Sequence, residues 1–276
     1  MKKQKGDNFN TPEQKQPTKK IKGELTQMED FTIKETYKLP SLGKIYDVEV
    51  PEDITIRSMT INEEMMRLGG NGTWRALADM LDACILTPMP ISSYDLCTAD
   101  FTFLWHRLRV VTYGNKYPLT CECPYCKFQN NFQIDLLQLP VIYYDDEAKK
   151  YQAFELPVSQ KQVTLNIQTP HMLDAIDSRM KAMRDRQGTN YNSDILLVLQ
   201  LALNTVNGEA LDNTSKELLL RQLPMPDINK LLIATDKLNN AFGLGVKVDA
   251  ECDNCGQAFT TIFQQGSEFF RPSVDF

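Results

Sequence analysis

Cys123-Pro-Tyr-Cys126 and Cys252-Asp-Asn-Cys255 are the two stretches on which the fold turns. Each places two thiols on one tight turn, and 125 residues lie between them. Two such turns facing each other make a tetrahedral four-cysteine site for one structural Zn2+. The flanks are alike. Val246, Val248 and Ala250 alternate ahead of the second pair, and Phe259, Ile262 and Phe263 follow it. Val110, Val111, Tyr113 and Leu119 precede the first pair, and Phe128, Phe132 and Ile134 follow it. Strand, knuckle and strand, repeated, is the plan of a zinc ribbon.

The expected fold is therefore α+β. A zinc-ribbon-like four-cysteine β module, split into residues 111–140 and 244–270, carries a mostly helical insertion at 141–243 and follows an N-terminal helical segment at 31–110. Cys123, Cys126, Cys252 and Cys255 are the expected metal ligands. Cys121 leaves an ambiguity, although Cys121-Glu-Cys123 would be an unusual knuckle. Cys84 and Cys97 read as buried or half-buried thiols. Closing a loop of 125 residues costs about 4 kcal/mol plus a constant. Structural zinc contributes roughly 10–16 kcal/mol in small peptides, so metal outweighs closure and should couple the insertion to the ribbon.

Of 276 residues, 42% are apolar, enough for a sizeable core. The net charge of −6 is unevenly spread. Lys2, Lys3, Lys5, Lys15, Lys19, Lys20 and Lys22 face only Asp7 and Glu13, which leaves 23 basic against 34 acidic residues for the rest of the chain. A body that acidic is a poor general binder of nucleic acid. Residues 1–30 are polar and rich in Lys, Gln, Thr and Pro, the composition of a disordered basic tail. Fully extended, its first 22 residues would reach roughly 75 Å. No apolar stretch follows Met1-Lys-Lys-Gln-Lys, and the longest apolar run, Ile195–Leu203, falls far short of the roughly 20 residues a membrane span needs. No membrane span is expected. Seven cysteines without a secretory signal suit a reducing cytoplasm, where CxxC pairs favour metal over disulfide.

A turn-rich entry at Leu39–Tyr46 precedes an expected strand at Ile54–Met59. Apolar spacing predicts helices over Ile61–Leu68, Thr73–Leu86 and Ala99–Arg109. In the insertion, Phe154–Ile167 reads as a hairpin or strand pair. Helices follow over Pro170–Gln187, Ile195–Val206, Thr214–Gln222 and Asp227–Phe242, the last closed by Gly243.

Catalytic patterns are lacking. His106 and His171 lie in predicted helices without an acid–base partner in sequence and read as surface or interface residues. Gly69-Gly-Asn-Gly-Thr73 lacks the lysine and the preceding strand of a phosphate loop and reads as a helix-breaking turn. Asp145-Asp-Glu147 reads as a solvated turn. Arg179, Lys181, Arg184 and Arg186 are interrupted by Asp174, Asp177 and Asp185, a mixed solvated face. Four thiolates would leave zinc no open position. The expectation is a protein that is not an enzyme and takes no small-molecule substrate.

Several segments occur in a telling order: Pro-Ser-x-Gly-x-x-Tyr at Pro40–Tyr46, Ile-x-Ile-Arg-x-Met-Thr at Ile54–Thr60 with Glu63-Glu64 behind it, and Asp100-Phe-x-x-Leu104 leading through Leu108-Arg109 to Tyr113-Gly114 and the first CxxC. This order resembles the baseplate hub assembly proteins of contractile-tailed, T-even-like bacteriophages. The resemblance covers most of residues 39–140 and returns at the second knuckle and Phe269-Phe270. It implies a non-enzymatic protein that helps assemble or cap the tail baseplate hub, contacting other hub proteins and the tape-measure protein. It also implies a location in the host cytoplasm during assembly and in the virion tail baseplate. The other reading is a zinc-ribbon nucleic-acid-binding or transcription-associated factor. That would need a basic ribbon face, and residues 246–263 offer Lys247 against Asp249, Glu251 and Asp253.

Overall fold

The computed structural model describes residues 30–70, 72–187, 194–263 and 269–270. Apart from Asp30, the expected basic tail lies outside the described residues. The first element is a hairpin in which β1 (Lys34–Lys38) pairs antiparallel with β2 (Asp53–Arg57). Ile54 and Ile56 of β2 alternate inward and are fully buried. β2 starts and ends slightly before the expected strand. Its partner β1 carries no apolar alternation, because only Tyr37 of its five residues turns partly inward.

Two helices follow, α1 (Ile61–Gly69) and α2 (Trp74–Cys84). Thr60 and Glu63 close a capping box on α1, and Arg57 grips the same carboxylate at 2.8 Å. α3 (Thr98–Tyr113) is the centre of the molecule. Phe101, Phe103, Leu104, Trp105, His106, Arg107, Leu108, Arg109, Val110 and Val111 are all buried. It runs past the expected end at Arg109, so Val110, Val111 and Tyr113 are its last turn and not a strand leading to the knuckle. Gly114, at φ 85°, ends the helix, and the first β segment starts at Lys116 instead of residue 111. β3 (Lys116–Glu122) and β4 (Gln129–Asp135) then form the first Cys hairpin.

β5 (Val141–Ile142) opens the insertion. α4 (Lys149–Gln152) leads into β6 (Ala153–Glu155) and β7 (Gln162–Leu165), the expected hairpin. α5 (Pro170–Gln187) matches its predicted bounds. α6 (Asp194–Ala202) stops short of the expected Val206, and Leu203–Val206 becomes strand β8. The cause is Asn207-Gly208, whose φ values of 52° and 83° make a two-residue turn to β9 (Glu209–Ala210). A four-stranded sheet, ordered β6-β7-β8-β9, thus joins the helices of the insertion. α7 (Asn213–Gln222) and α8 (Met225–Asn239) complete it. Leu156, Val163, Leu165, Leu199, Leu203, Leu220, Leu231 and Leu238 form a core of its own. α8 ends before the expected Phe242, whose ring packs edge-on against Tyr144 at 5.3 Å.

β10 (Gly243–Leu244) pairs with β5, and the Gly245 N–H donates to the Pro140 carbonyl at 2.7 Å. The two ends of the insertion therefore meet. β11 (Lys247–Glu251) and β12 (Ala258–Ile262) form the second Cys hairpin. The main core unites segments from both sides of the insertion: Ile54, Ile56, Leu81, Phe101 and Leu104 share it with Ile134, Leu136, Phe263, Phe269 and Phe270. Phe270 lies 4.4 Å from the Trp105 ring, and the Phe269 carbonyl accepts from Arg109 Nε at 2.9 Å.

His106 departs from its expected surface or interface position and lies in the interior. It is 1% exposed, with its ring 5.4 Å from Phe263 and 4.9 Å from Phe269. Burial, aided by the Arg107 charge, lowers its pKa to about 3. The folded state thus refuses a proton that the unfolded chain accepts near pH 6.5. Stability should fall on acidification between about pH 6.5 and about pH 3, by up to about 1.4 kcal/mol per pH unit from this residue. Urea midpoints at pH 7 and pH 5 should converge in a His106→Phe variant. An equal pH response in variant and parent would remove His106 as the cause.

Candidate metal centre

The two Cys hairpins repeat one geometry. In the first, the Cys123 N–H donates to the Phe128 carbonyl at 2.9 Å and the Lys127 N–H to the Cys123 carbonyl at 3.0 Å. In the second, the Cys252 N–H donates to Gln257 at 3.1 Å and the Gly256 N–H to Cys252 at 2.9 Å. Lys127 and Gly256 hold the matching position at φ 64° and 67°. This left-handed residue turns the chain out of each knuckle toward the returning strand.

The four Sγ atoms of Cys123, Cys126, Cys252 and Cys255 lie within 4.8 Å of one another, a group that could hold a metal ion. Cys123 and Cys255 are 3.8 Å apart, and Cys126 and Cys252 3.6 Å. A tetrahedral ion with bonds of about 2.3 Å to sulfur sets its ligands about 3.8 Å apart, so the spacing fits. Burial opposes ionisation of Cys252. The N–H groups of Cys255 and Asn254 and the thiols of Cys126 and Cys123 outweigh it, and its pKa falls to about 6. Cys121 lies beside this group but outside it, packed against the same small cluster. Cys84 and Cys97 are buried in the main body of the protein, away from these thiols.

Asn130 has no counterpart in the sequence reading. It is fully buried, donates Nδ2 to the Phe128 carbonyl at 3.1 Å, and accepts the Asp253 N–H on Oδ1 at 2.9 Å. One amide thereby ties the first knuckle to the second. Asn130→Ala is expected to weaken metal retention about 10–100-fold, measured by chelator competition. Unchanged retention would make the contact incidental.

The motif residues Ser41, Gly43, Tyr46 and Asp100 form a second constellation, joined by hydrogen bonds. The Asp100 carboxylate accepts from the Ser41 N–H at 2.9 Å, from the Ser41 hydroxyl, and from the Tyr46 hydroxyl at 2.7 Å. Gly43 sits at φ 68°, where a Cβ would lie 2.2 Å from the Val50 carbonyl oxygen. Only glycine fits this loop. Ser41, Cys97 and Asp100 are each buried.

Other polar candidates resolve similarly. His171 is exposed as expected, yet it has an acid partner in Asp95 at 3.2 Å and stacks on Tyr94. Asp174 was expected on a solvated face. Instead its carboxylate receives the Trp74 and Arg75 N–H groups at 3.2 and 3.0 Å and so caps α2. That also occupies the helix end behind the Gly69–Thr73 turn. Asp145, Asp146 and Glu147 are exposed, as expected of a turn.

The arrangement defines a class: an α+β protein in which two distant hairpins bring together four thiols able to hold a metal ion. The chain matches the model for the T4 bacteriophage base plate protein over residues 30–271, and it belongs to that family. Neither a curated protein nor a solved structure matches it. The family points to the virion tail and to other phage baseplate proteins as its surroundings. Among the described residues, no helix is long and apolar enough to cross a membrane.

Proposed function

We propose that this protein is a structural and assembly component of the phage tail baseplate hub, without catalytic activity. In this reading, one structural Zn2+ held by Cys123, Cys126, Cys252 and Cys255 fixes the two hairpins against each other. The observation that carries it is the convergence of these four thiols, from sites 125 residues apart, within 4.8 Å. Four thiolates in a tetrahedron suit zinc and fill every coordination position, leaving no place for a substrate. The partners are other hub proteins and the tape-measure protein, met in the host cytoplasm during assembly.

The acidic hairpin speaks against nucleic acid. Lys247, Asp249 and Glu251 all point outward from β11, and Asp253 follows at the knuckle. The test is affinity capture of the tagged protein from phage-producing cells, with mass spectrometry of co-purifying proteins and metal analysis. Hub or tape-measure proteins, and zinc at one ion per chain, are expected. Polymerase subunits or nucleic acid in their place would overturn the reading.

A further inference from the structure

Four cysteines allow three pairings, and the contacts at the knuckles favour one of them. Cys123 Sγ lies 3.8 Å from Cys255 Sγ, and Cys126 Sγ lies 3.6 Å from Cys252 Sγ. Both contacts cross from one hairpin to the other. Asn254 of the second knuckle donates Nδ2 to Cys126 Sγ at 3.6 Å, and the bond from Asp253 to Asn130 crosses in the same way. The knuckles are thus held face to face, with thiols already in contact across the joint. A disulfide sets its sulfurs about 2.0 Å apart, so each pair has to close by roughly 1.7 Å.

Each contact also joins a buried thiol to a more open one. Cys123 and Cys252 are 0% and 2% exposed, whereas Cys255 is exposed and Cys126 half-buried. An oxidant reaches one sulfur of each pair, and the enclosed partner lies next to it. Cys121 packs against the same small cluster and is the thiol left over.

We infer that the four thiols form a redox-convertible staple. A peroxide turns them into two disulfides, Cys123–Cys255 and Cys126–Cys252, which keep the hairpins joined without a metal ion. The thiolate of Cys255 or Cys126 attacks one peroxide oxygen; the O–O bond breaks, hydroxide leaves and a sulfenic acid remains. The facing thiolate, Cys123 or Cys252, attacks that sulfur. The S–S bond forms, the S–O bond breaks and a second hydroxide leaves. Each pair gives up two electrons, and one peroxide takes them. Disulfide sulfurs do not hold Zn2+ as thiolates do, so oxidation empties the site. A bridge inside one knuckle would leave the hairpins separate, and a bridge across the joint does not. The inference rests on the baseplate reading only for its occasion, release from the reducing host, since disulfides persist on virion surfaces.

The test uses the full-length protein isolated under reducing conditions, freed of reductant and treated with two equivalents of hydrogen peroxide. Tandem mass spectrometry of an unreduced digest should find Cys123 joined to Cys255 and Cys126 to Cys252. Cys84, Cys97 and Cys121 should be alkylated after unfolding. Limited proteolysis should leave both hairpins as resistant as before oxidation, until dithiothreitol and a chelator are added together. Bridges within a knuckle, a bridge to Cys121, or sulfonic acid on Cys255 without a bridge would overturn the inference. So would early cleavage of hairpins that carry both bridges. Zinc release, followed with a colorimetric chelator, tests the zinc reading separately. Cross-hairpin bridges formed where no zinc was bound would uphold the inference and remove the zinc.

Discussion

A Cys252→Ser variant is expected to lose its metal and to become protease-sensitive within residues 116–135 and 247–262, while the sheet of the insertion stays protected. Besides a metal ion held by the four thiols, the hairpin tips have the Asn130 bridge and one small cluster to join them. The cluster there consists of Cys123, Cys252 and Phe259, with Cys121, Cys126, Phe132 and Ala250 partly buried around it. Two-stranded hairpins are marginal alone, and a structural zinc site supplies about 10–16 kcal/mol in peptides. The insertion is in a different position, since it has its own core. The pairing of β5 with β10 and the contact between Gly245 and Pro140 close the same long loop without the thiols. Sequence reasoning alone would have the insertion loosen with the metal. Limited proteolysis with mass spectrometry separates the two. Parent-like resistance in both hairpins would sink the staple, and early cleavage inside the insertion would show that β5 and β10 do not suffice.

Asp100→Ala should be the most damaging change away from the thiols, at about 3–5 kcal/mol. It strips the acceptor from buried Ser41 and half-buried Tyr46. Asp100→Asn keeps the shape, and the hydroxyls can turn to accept, so a loss of about 1–2 kcal/mol is expected. Burial raises the Asp100 pKa, and the bonds from Ser41 and Tyr46 only partly offset it. The folded state therefore holds this proton more tightly than the unfolded chain. The resulting stabilisation is fully present below the unfolded value of about 3.9 and is lost as pH rises through the folded value. Its sign is opposite to that of His106. Denaturant midpoints across pH should show Asp100→Asn losing more stability relative to the parent at acid than at neutral pH. A difference independent of pH would contradict the assignment.

The parts that could be read from sequence are those whose signal is local. Pro170 at a helix start, the spacing of Trp74, Leu77, Ala78 and Leu81, and the two CxxC turns each depend on neighbours a few residues away. β1 escaped notice because Lys34, Glu35, Thr36 and Lys38 all face solvent. Leu203–Val206 looked like more helix because its apolar residues continue the run; Asn207-Gly208 was the available sign of a turn. Contacts between distant polar residues leave no such trace. Ser41 meets Asp100 across 59 positions, and Asn130 meets Asp253 across 123. His106 was misplaced for a related reason. A histidine between Trp105 and Arg107 reads as polar until Phe263 and Phe269 arrive from far along the chain to enclose it.

That late arrival sets a timetable for synthesis. The Phe269 carbonyl that receives Arg109 is made 160 residues after it, which at roughly 5–20 residues per second is a delay of about 8–32 s on the ribosome. Through that interval the side of α3 carrying Trp105 and His106 lacks its aromatic cover, and the first cysteine pair has no second pair to meet. Folding of the nascent chain is thus provisional until its last hairpin emerges. A ribosome stalled before residue 252 should display a sticky, metal-poor intermediate that binds chaperones and that the finished protein no longer resembles.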